Sequence, residues 1–193
     1  MLKLHINKNI NMKKILSLAL FSGILFMSTA VHAQDTTKMK PPEDKTKRPS
    51  PPADAMVTTS KGVMVDINYS QPSVKGRAIG KDVEPMKGKV WRTGANEATV
   101  FSVDKDVKIN GKSLAAGKYG FFSIWNGDTW TLIFNKTWNQ WGAFNYKEAD
   151  DVLRVTVKNM PPSSPSEKMT FTTDASGKVT LAWGNVGFNF MVE

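Results

Sequence analysis

The sequence predicts an all-β domain, an antiparallel β-sandwich of jelly-roll-like or immunoglobulin-like kind, and three observations carry that expectation. Its apolar runs are short and alternate with polar residues at the period of a strand with one buried face. They are rich in Val, Ile, Thr and aromatic residues and are closed at short intervals by turn residues. No window of a dozen residues carries an apolar stripe at helical spacing.

Taken in order, Val63, Val65, Ile67 and Tyr69 alternate with Met64, Asp66 and Asn68, and Thr99, Phe101 and Val103 repeat the pattern. Val107-Lys108-Ile109 runs into Asn110-Gly111, and the aromatic run 118–125 into Asn126-Gly127 ahead of residues 130–134. Asn-Gly accepts positive φ at both central positions of a tight turn, so both sites read as hairpins. Residues 152–158, 168–173, 179–183 and 186–192 supply the later strands, with Ala175-Ser176-Gly177 turning between two of them. Nine or more short strands at this spacing favour an open sandwich over a closed barrel. The lack of a fixed-period repeat argues against a propeller or solenoid.

Ahead of the strands, Met12-Lys13-Lys14 and the apolar run 15–27 read as the basic and apolar parts of an export signal, too short to span a bilayer. Val31-His32-Ala33 offers a cleavage site after Ala33, and Met12 is a candidate start. No cysteine follows the apolar run, so neither a lipid attachment nor a stable membrane anchor is expected. The mature protein is expected in the periplasm or outside the cell. Residues 34–55 hold five prolines, mixed charges and hardly any large apolar side chain. Such a segment cannot offset its ordering entropy by burial, so a disordered Pro/Lys-rich linker is expected, with the domain at 56–193.

Inventory narrows the chemistry. Among 193 residues there is no cysteine, and the two histidines, His5 and His32, both fall in the leader. After cleavage the chain has no side chain for Ser-His-Asp or Cys-His catalysis or for a zinc centre, so neither a metal nor a cofactor is expected. Removing the first 33 residues takes away four lysines and no acid, leaving 22 basic against 17 acidic side chains, net +5. With that modest charge, an export signal and no basic helix, nucleic acid is not an expected partner.

Two irregular stretches stand out between strands, where function is usually carried. One is residues 70–99, containing Gln71-Pro72-Ser73, Gly76-Arg77 and Val90-Trp91-Arg92-Thr93-Gly94-Ala95-Asn96-Glu97-Ala98-Thr99. Together with Ala116-Gly117-Lys118-Tyr119 and Gln140-Trp141-Gly142-Ala143-Phe144, these motifs resemble the bacterial domain-of-unknown-function family numbered 2911, over most of residues 50–192. The resemblance implies a signal-bearing exported protein of Gram-negative bacteria and no established activity. The run before Lys89-Val90-Trp91 departs from the family's usual Pro-Tyr-Gly, being Pro85-Met86-Lys87-Gly88.

Read for their chemistry, Arg92 offers a fork of donors for a carboxylate, phosphate or sugar hydroxyl pair, and Glu97 offers acceptors. If Arg77, Arg92, Asn96 and Glu97 converge, they suit a small anionic ligand or a glycan. The competing expectation is a structural Arg92–Glu97 ion pair, with Gly94 and Asn96 present for turn geometry. In the second stretch, residues 135–146, Trp138, Trp141, Phe144 and Tyr146 alternate with Asn and Gln, a pattern able to stack on sugar rings and bond their hydroxyls. The alternative is that Trp141, Phe144 and Tyr146 plug the end of the sandwich and Trp138 alone is partly exposed. Trp125, Trp130 and Trp183 lie within strand patterns and are expected in the core.

The leading expectation is thus a ligand-binding or envelope-structural module. A carboxylate-dependent glycan hydrolase using Glu97 with a second acid is the alternative, and a protein-contact module of the envelope is another. Gly111-Lys112-Ser113 lacks the glycine spacing of a phosphate-binding loop, and Asp104 and Asp106 read as turn acids instead of calcium ligands.

Overall fold

The computed structural model describes residues 42–193; the expected export signal and the first part of the expected linker, residues 34–41, lie outside the described residues. Twelve strands are present among them: β1 (Pro52–Thr58), β2 (Met64–Ser70), β3 (Val90–Trp91), β4 (Thr99–Val103), β5 (Val107–Ile109), β6 (Lys112–Leu114), β7 (Gly117–Trp125), β8 (Thr129–Asn135), β9 (Asp151–Lys158), β10 (Ser166–Thr173), β11 (Lys178–Gly184) and β12 (Val186–Met191). Helical structure is limited there to 3-10 turns at Lys45–Lys47 and Glu148–Asp150.

The strands form an antiparallel sandwich, as the alternation predicts. The larger sheet runs β1-β2-β4-β7-β8-β9, with β3 also on β7, and the smaller one runs β10-β11-β12. Inward positions of the larger sheet bring Phe101, Phe121 and Phe134 against Phe171, Phe188 and Phe190 of the smaller. These rings meet at centroid separations such as 5.0 Å for Phe101–Phe134 and 5.9 Å for Phe121–Phe190, within the range of favourable aromatic pairs. Trp130 and Trp183 are fully buried as expected, and Trp125 packs half-buried on the same core.

The hairpin turns differ in detail from each other. Asn110 and Gly111 have φ of 47° and 81°, the doubly positive turn that Asn-Gly favours. At the second site only Gly127 is positive, at 94°, and Asn126 N–H donates to the Thr129 carbonyl, so the turn centres on Gly127-Asp128. Asp104 and Asp106 act as turn acids, their carboxylates accepting from the Met64 and Ala116 amides.

Two departures from expectation position the candidate site. The domain starts earlier than residue 56: Pro52 to Ala55, read as linker, begin β1, which pairs with β2 from Pro52↔Ser70 to Thr58↔Met64. Proline is tolerated there because β1 is the edge of its sheet. Further in, β3 and β4 occupy one row against β7. Trp91 lies opposite Ser123 and Thr99 opposite Phe121, so the seven residues 92–98 span a single partner position. They leave the row as a loop closed by Thr99 N–H donating to the Arg92 carbonyl at 3.2 Å.

Candidate functional site

The loop 92–98 is shaped by two left-handed residues, Thr93 at φ 50° and Asn96 at φ 56°. Asn96 meets the expectation of a turn role, whereas Thr93 rather than Gly94 takes the other positive angle. A β-branched residue there is strained by roughly 1–3 kcal/mol. Buried hydrogen bonds hold it: Thr93 Oγ1 with Ser123 Oγ at 2.8 Å, and Thr99 Oγ1 donating to the Thr93 carbonyl at 2.8 Å. This reversal sends the two ends of the loop to different neighbours.

Arg92 and Glu97 do not pair. Glu97 is held instead by Lys45 Nζ and Arg48 Nη1, each at 2.8 Å, from the segment read as a solvated linker. Arg48 also binds Glu43, with Nη2 to Oε2 at 2.6 Å, and its guanidinium lies 5.6 Å from the centre of the Trp141 ring. Asn96 Nδ2 donates to the Ser50 carbonyl at 2.9 Å, which ties the same segment down. Partial burial pushes the Glu97 carboxyl pKa up, but hydrogen bonds from Lys45, its own amide and Arg48 prevail and bring it down to about 2.

The second stretch joins this loop through its backbone. Ala98 N–H donates to the Gln140 carbonyl and Gly142 N–H to the Asn96 carbonyl, both at 3.0 Å. Residues 136–150 therefore lie on the outer face of the larger sheet and do not plug its end. Gly120, an outward position of β7, makes room for them: a side chain there would meet the Thr137 carbonyl at 2.9 Å and Trp138 Cα at 3.3 Å. Below the loop, Ala98, Phe122 and Ile133 form a second small core with Ala143 and Tyr146 packed on it. The far end is fixed by Tyr146 Oη donating to Asp151 Oδ2, and by Arg154 donating to both, all at 2.7 Å. Burial, and then the Asp151 carboxylate, push the Tyr146 pKa up to about 12.

Exposure within the stretch runs against the plug expectation. Tyr146 is packed as proposed, but Trp141 is 53% and Phe144 83% exposed, so Trp138 at 39% is not the lone accessible ring. The candidate residues fall into two groups: Asn96, Glu97 and Trp141 lie together, with Glu97 bridged to Trp141 through the backbone, apart from Arg77 and Arg92. Arg77 and Arg92 line one cleft of about 160 Å³ beside Trp91 and Trp183. Glu97 and Trp138 line another, of about 240 Å³, with Lys45, Asn68, Asn139 and Gln140.

A further hollow lies beyond the second cleft along the outer face. Asn68 pairs across from Val100 and Asp66 from Ser102, leading to a depression of about 340 Å³ at Met64, Asp66, Ser102 and Lys118. Lys118 Nζ stands 5.7 Å from the centre of the Trp138 ring and bridges the two hollows. At the pitch of a β-strand the groove follows β2 for about 20 Å. Two buried polar atoms along it have no partner among the described residues, Gln140 Oε1 and Asp66 Oδ1. Sequence reading missed Asn68, Lys118 and the Lys45/Arg48 pair, because outward strand positions and a charged linker give no local sign of convergence.

Among the described residues no three His, Cys, Asp or Glu side chains cluster to hold a metal, and no helix is long and apolar enough to cross a membrane. No curated protein and no solved structure matches the chain. A family model described as protein of unknown function (DUF2911) matches residues 50–192, from the segment before β1 to the end of the last strand. The match takes in the aromatic stretch and every lining residue of the two clefts except Lys45, and on it the chain belongs to that family.

Proposed function

We propose that the protein is an exported binding module whose outer-face groove holds a glycan. The observation that carries the reading is the company Trp138 keeps: an accessible indole beside the amides of Asn68, Asn139 and Gln140, with Gln140 92% buried and its Oε1 unpartnered. A buried amide oxygen without a donor costs free energy, and a sugar hydroxyl is a donor of the right size for it. The indole supplies ring surface for stacking, and the groove is long enough for more than one sugar unit. Export rests on the basic and apolar residues 12–33, which lie outside the described residues.

The hydrolase alternative finds little support. Glu43 and Glu97 are brought together by Arg48, but hydrogen bonds from Arg48 hold Glu43 below its ordinary pKa and Glu97 lies near 2. Glycoside cleavage needs one of two carboxyls protonated at working pH. Exposure of Trp141 and Phe144 favours a different second reading, a contact surface for another envelope protein.

Affinity electrophoresis and calorimetry of the mature chain against soluble envelope polysaccharides separate these readings. Saturable binding that Trp138→Ala weakens at least about tenfold, with Phe144→Ala unchanged, is the expected outcome. If no polysaccharide gives a Trp138-dependent signal, the glycan reading fails.

A further inference from the structure

The cleft at the other end of the loop contains a guanidinium that forms no ion pair or hydrogen bond among the described residues. Arg92 is the residue at which the chain leaves the β3–β4 row, and its direction is set by the strained, buried Thr93. Its Nε is buried without a hydrogen-bond partner among the described residues. Of the acids, only Glu84 bears on it, through charge at a distance, and the Glu84 carboxylate already accepts from the Met86 amide at 2.6 Å. Burial pulls the Arg92 pKa below its ordinary value, yet a guanidinium stays charged in proteins. A fold rarely keeps such a group without an acceptor, since a half-buried guanidinium with an unsatisfied Nε is costly and an apolar side chain would fill the space more cheaply.

The surroundings define what the acceptor is. Arg77 lines the same cleft and is fixed by its own bonds, Nε to the Val74 carbonyl at 3.0 Å and Nη2 to the Ser73 carbonyl at 2.6 Å. Two arginines against Glu84 leave one positive charge in excess, which suits a single negative charge better than a dianion. Trp91 and Trp183 cannot donate to a ligand, because their indole N–H groups are spent on the Gly94 and Glu84 carbonyls at 3.0 and 2.7 Å. Both rings are also buried, so the accessible apolar lining of the cleft is Val83 and Ala95. A volume of about 160 Å³ holds about five water-sized groups.

We propose that this cleft is a binding site for a small monocarboxylate, its carboxylate on the Arg92 guanidinium and its short apolar body against Val83 and Ala95. The site is independent of the outer-face groove. Arg92 and Arg77 supply the charge complement, Val83 and Ala95 supply specificity for a short tail, and Glu84 discriminates against phosphate and dicarboxylates.

The test is a titration of the mature chain with acetate, propionate and butyrate at constant ionic strength, read by the ¹H–¹⁵N resonance of the Arg92 side chain and by tryptophan fluorescence. Propionamide and inorganic phosphate serve as comparison ligands. A saturable response to propionate or butyrate is expected, at least tenfold weaker for propionamide and for phosphate. Arg92→Gln is expected to abolish it while unfolding at the same or higher denaturant, and Arg77→Gln to weaken it severalfold. Trp138→Ala is expected to leave it unchanged, so the fate of the glycan reading does not decide this one. The proposal is overturned if no carboxylate saturates, if propionamide or phosphate binds as well, or if Arg92→Gln still responds. Marked destabilisation by Arg92→Gln would also overturn it, by showing that the charge is already satisfied.

Discussion

Arg92 and Glu97 stand at the two ends of one loop, and the fold treats their charges in opposite ways. The acid is more than a third exposed and has two cationic partners, whereas the base is mostly buried and has no hydrogen-bond partner at Nε among the described residues. Solvent could have served the acid at little cost, and burial makes the unpaired base expensive. The contrast teaches that pairing here follows assembly needs, not electrostatic urgency. Glu97 fastens the incoming segment 43–50 to the sheet, while Arg92 is held in readiness.

The largest expected change comes from Gly120→Val, which strips the Glu97 end of its neighbours. A branched side chain at Gly120 collides with the Thr137 carbonyl and displaces the loop that pairs with residues 96–98. Overpacking of this kind should cost about 3 kcal/mol in denaturant unfolding, together with loss of amide protection at Ala98 and Gly142. Trp91 and Arg92 should keep their environment, so the two ends separate.

A smaller effect at the opposite end should follow Thr93→Val. The substitution keeps the branched shape but deletes the hydroxyl that meets Ser123 inside the core. Leaving the serine oxygen unsatisfied should cost about 2 kcal/mol. Protection of residues 44–50 should not change, because their anchor is Glu97 and Asn96.

The smallest shift, and the one with a distinctive pH signature, is expected from Glu97→Gln. The native carboxyl titrates at about 2 against an ordinary 4.5, so its contribution to stability is complete above pH 4.5 and fades as pH falls towards 2. Urea midpoints of the two proteins should therefore differ at pH 7 and converge near pH 2. Hydrogen exchange at Thr46 and Arg48 should rise in the variant at neutral pH. A constant difference across that range would mean that the ion pairs do not carry the effect.

How much of this was legible in the sequence follows physical lines. Strands β2 and β4 announce themselves because their buried faces alternate with outward residues such as Asp66, Asn68 and Ser102, and β7 and β8 through their aromatic and β-branched runs either side of Asn126-Gly127. Strand β1 does not, since Pro52, Ala53 and Asp54 carry almost no apolar signal and form a strand only by pairing with β2. The residue types of the candidate site were readable, but their grouping was not. Five residues of spacing made an Arg92–Glu97 pair a natural expectation, and a positive φ at Thr93, which no local pattern announces, sends the side chains apart. The partners of Glu97 came from Lys45 and Arg48, whose sequence surroundings look like solvated charge.

The in-line arrangement of β3 and β4 has a consequence for how such a protein can vary. Because Arg92 to Ala98 occupy only one place opposite β7, segments of other lengths and compositions can be exchanged between Trp91 and Thr99 while every neighbouring strand keeps its alignment. The sheet is thereby a chassis with an interchangeable cassette. Selection can retune what either cleft accepts without realigning the strands around it.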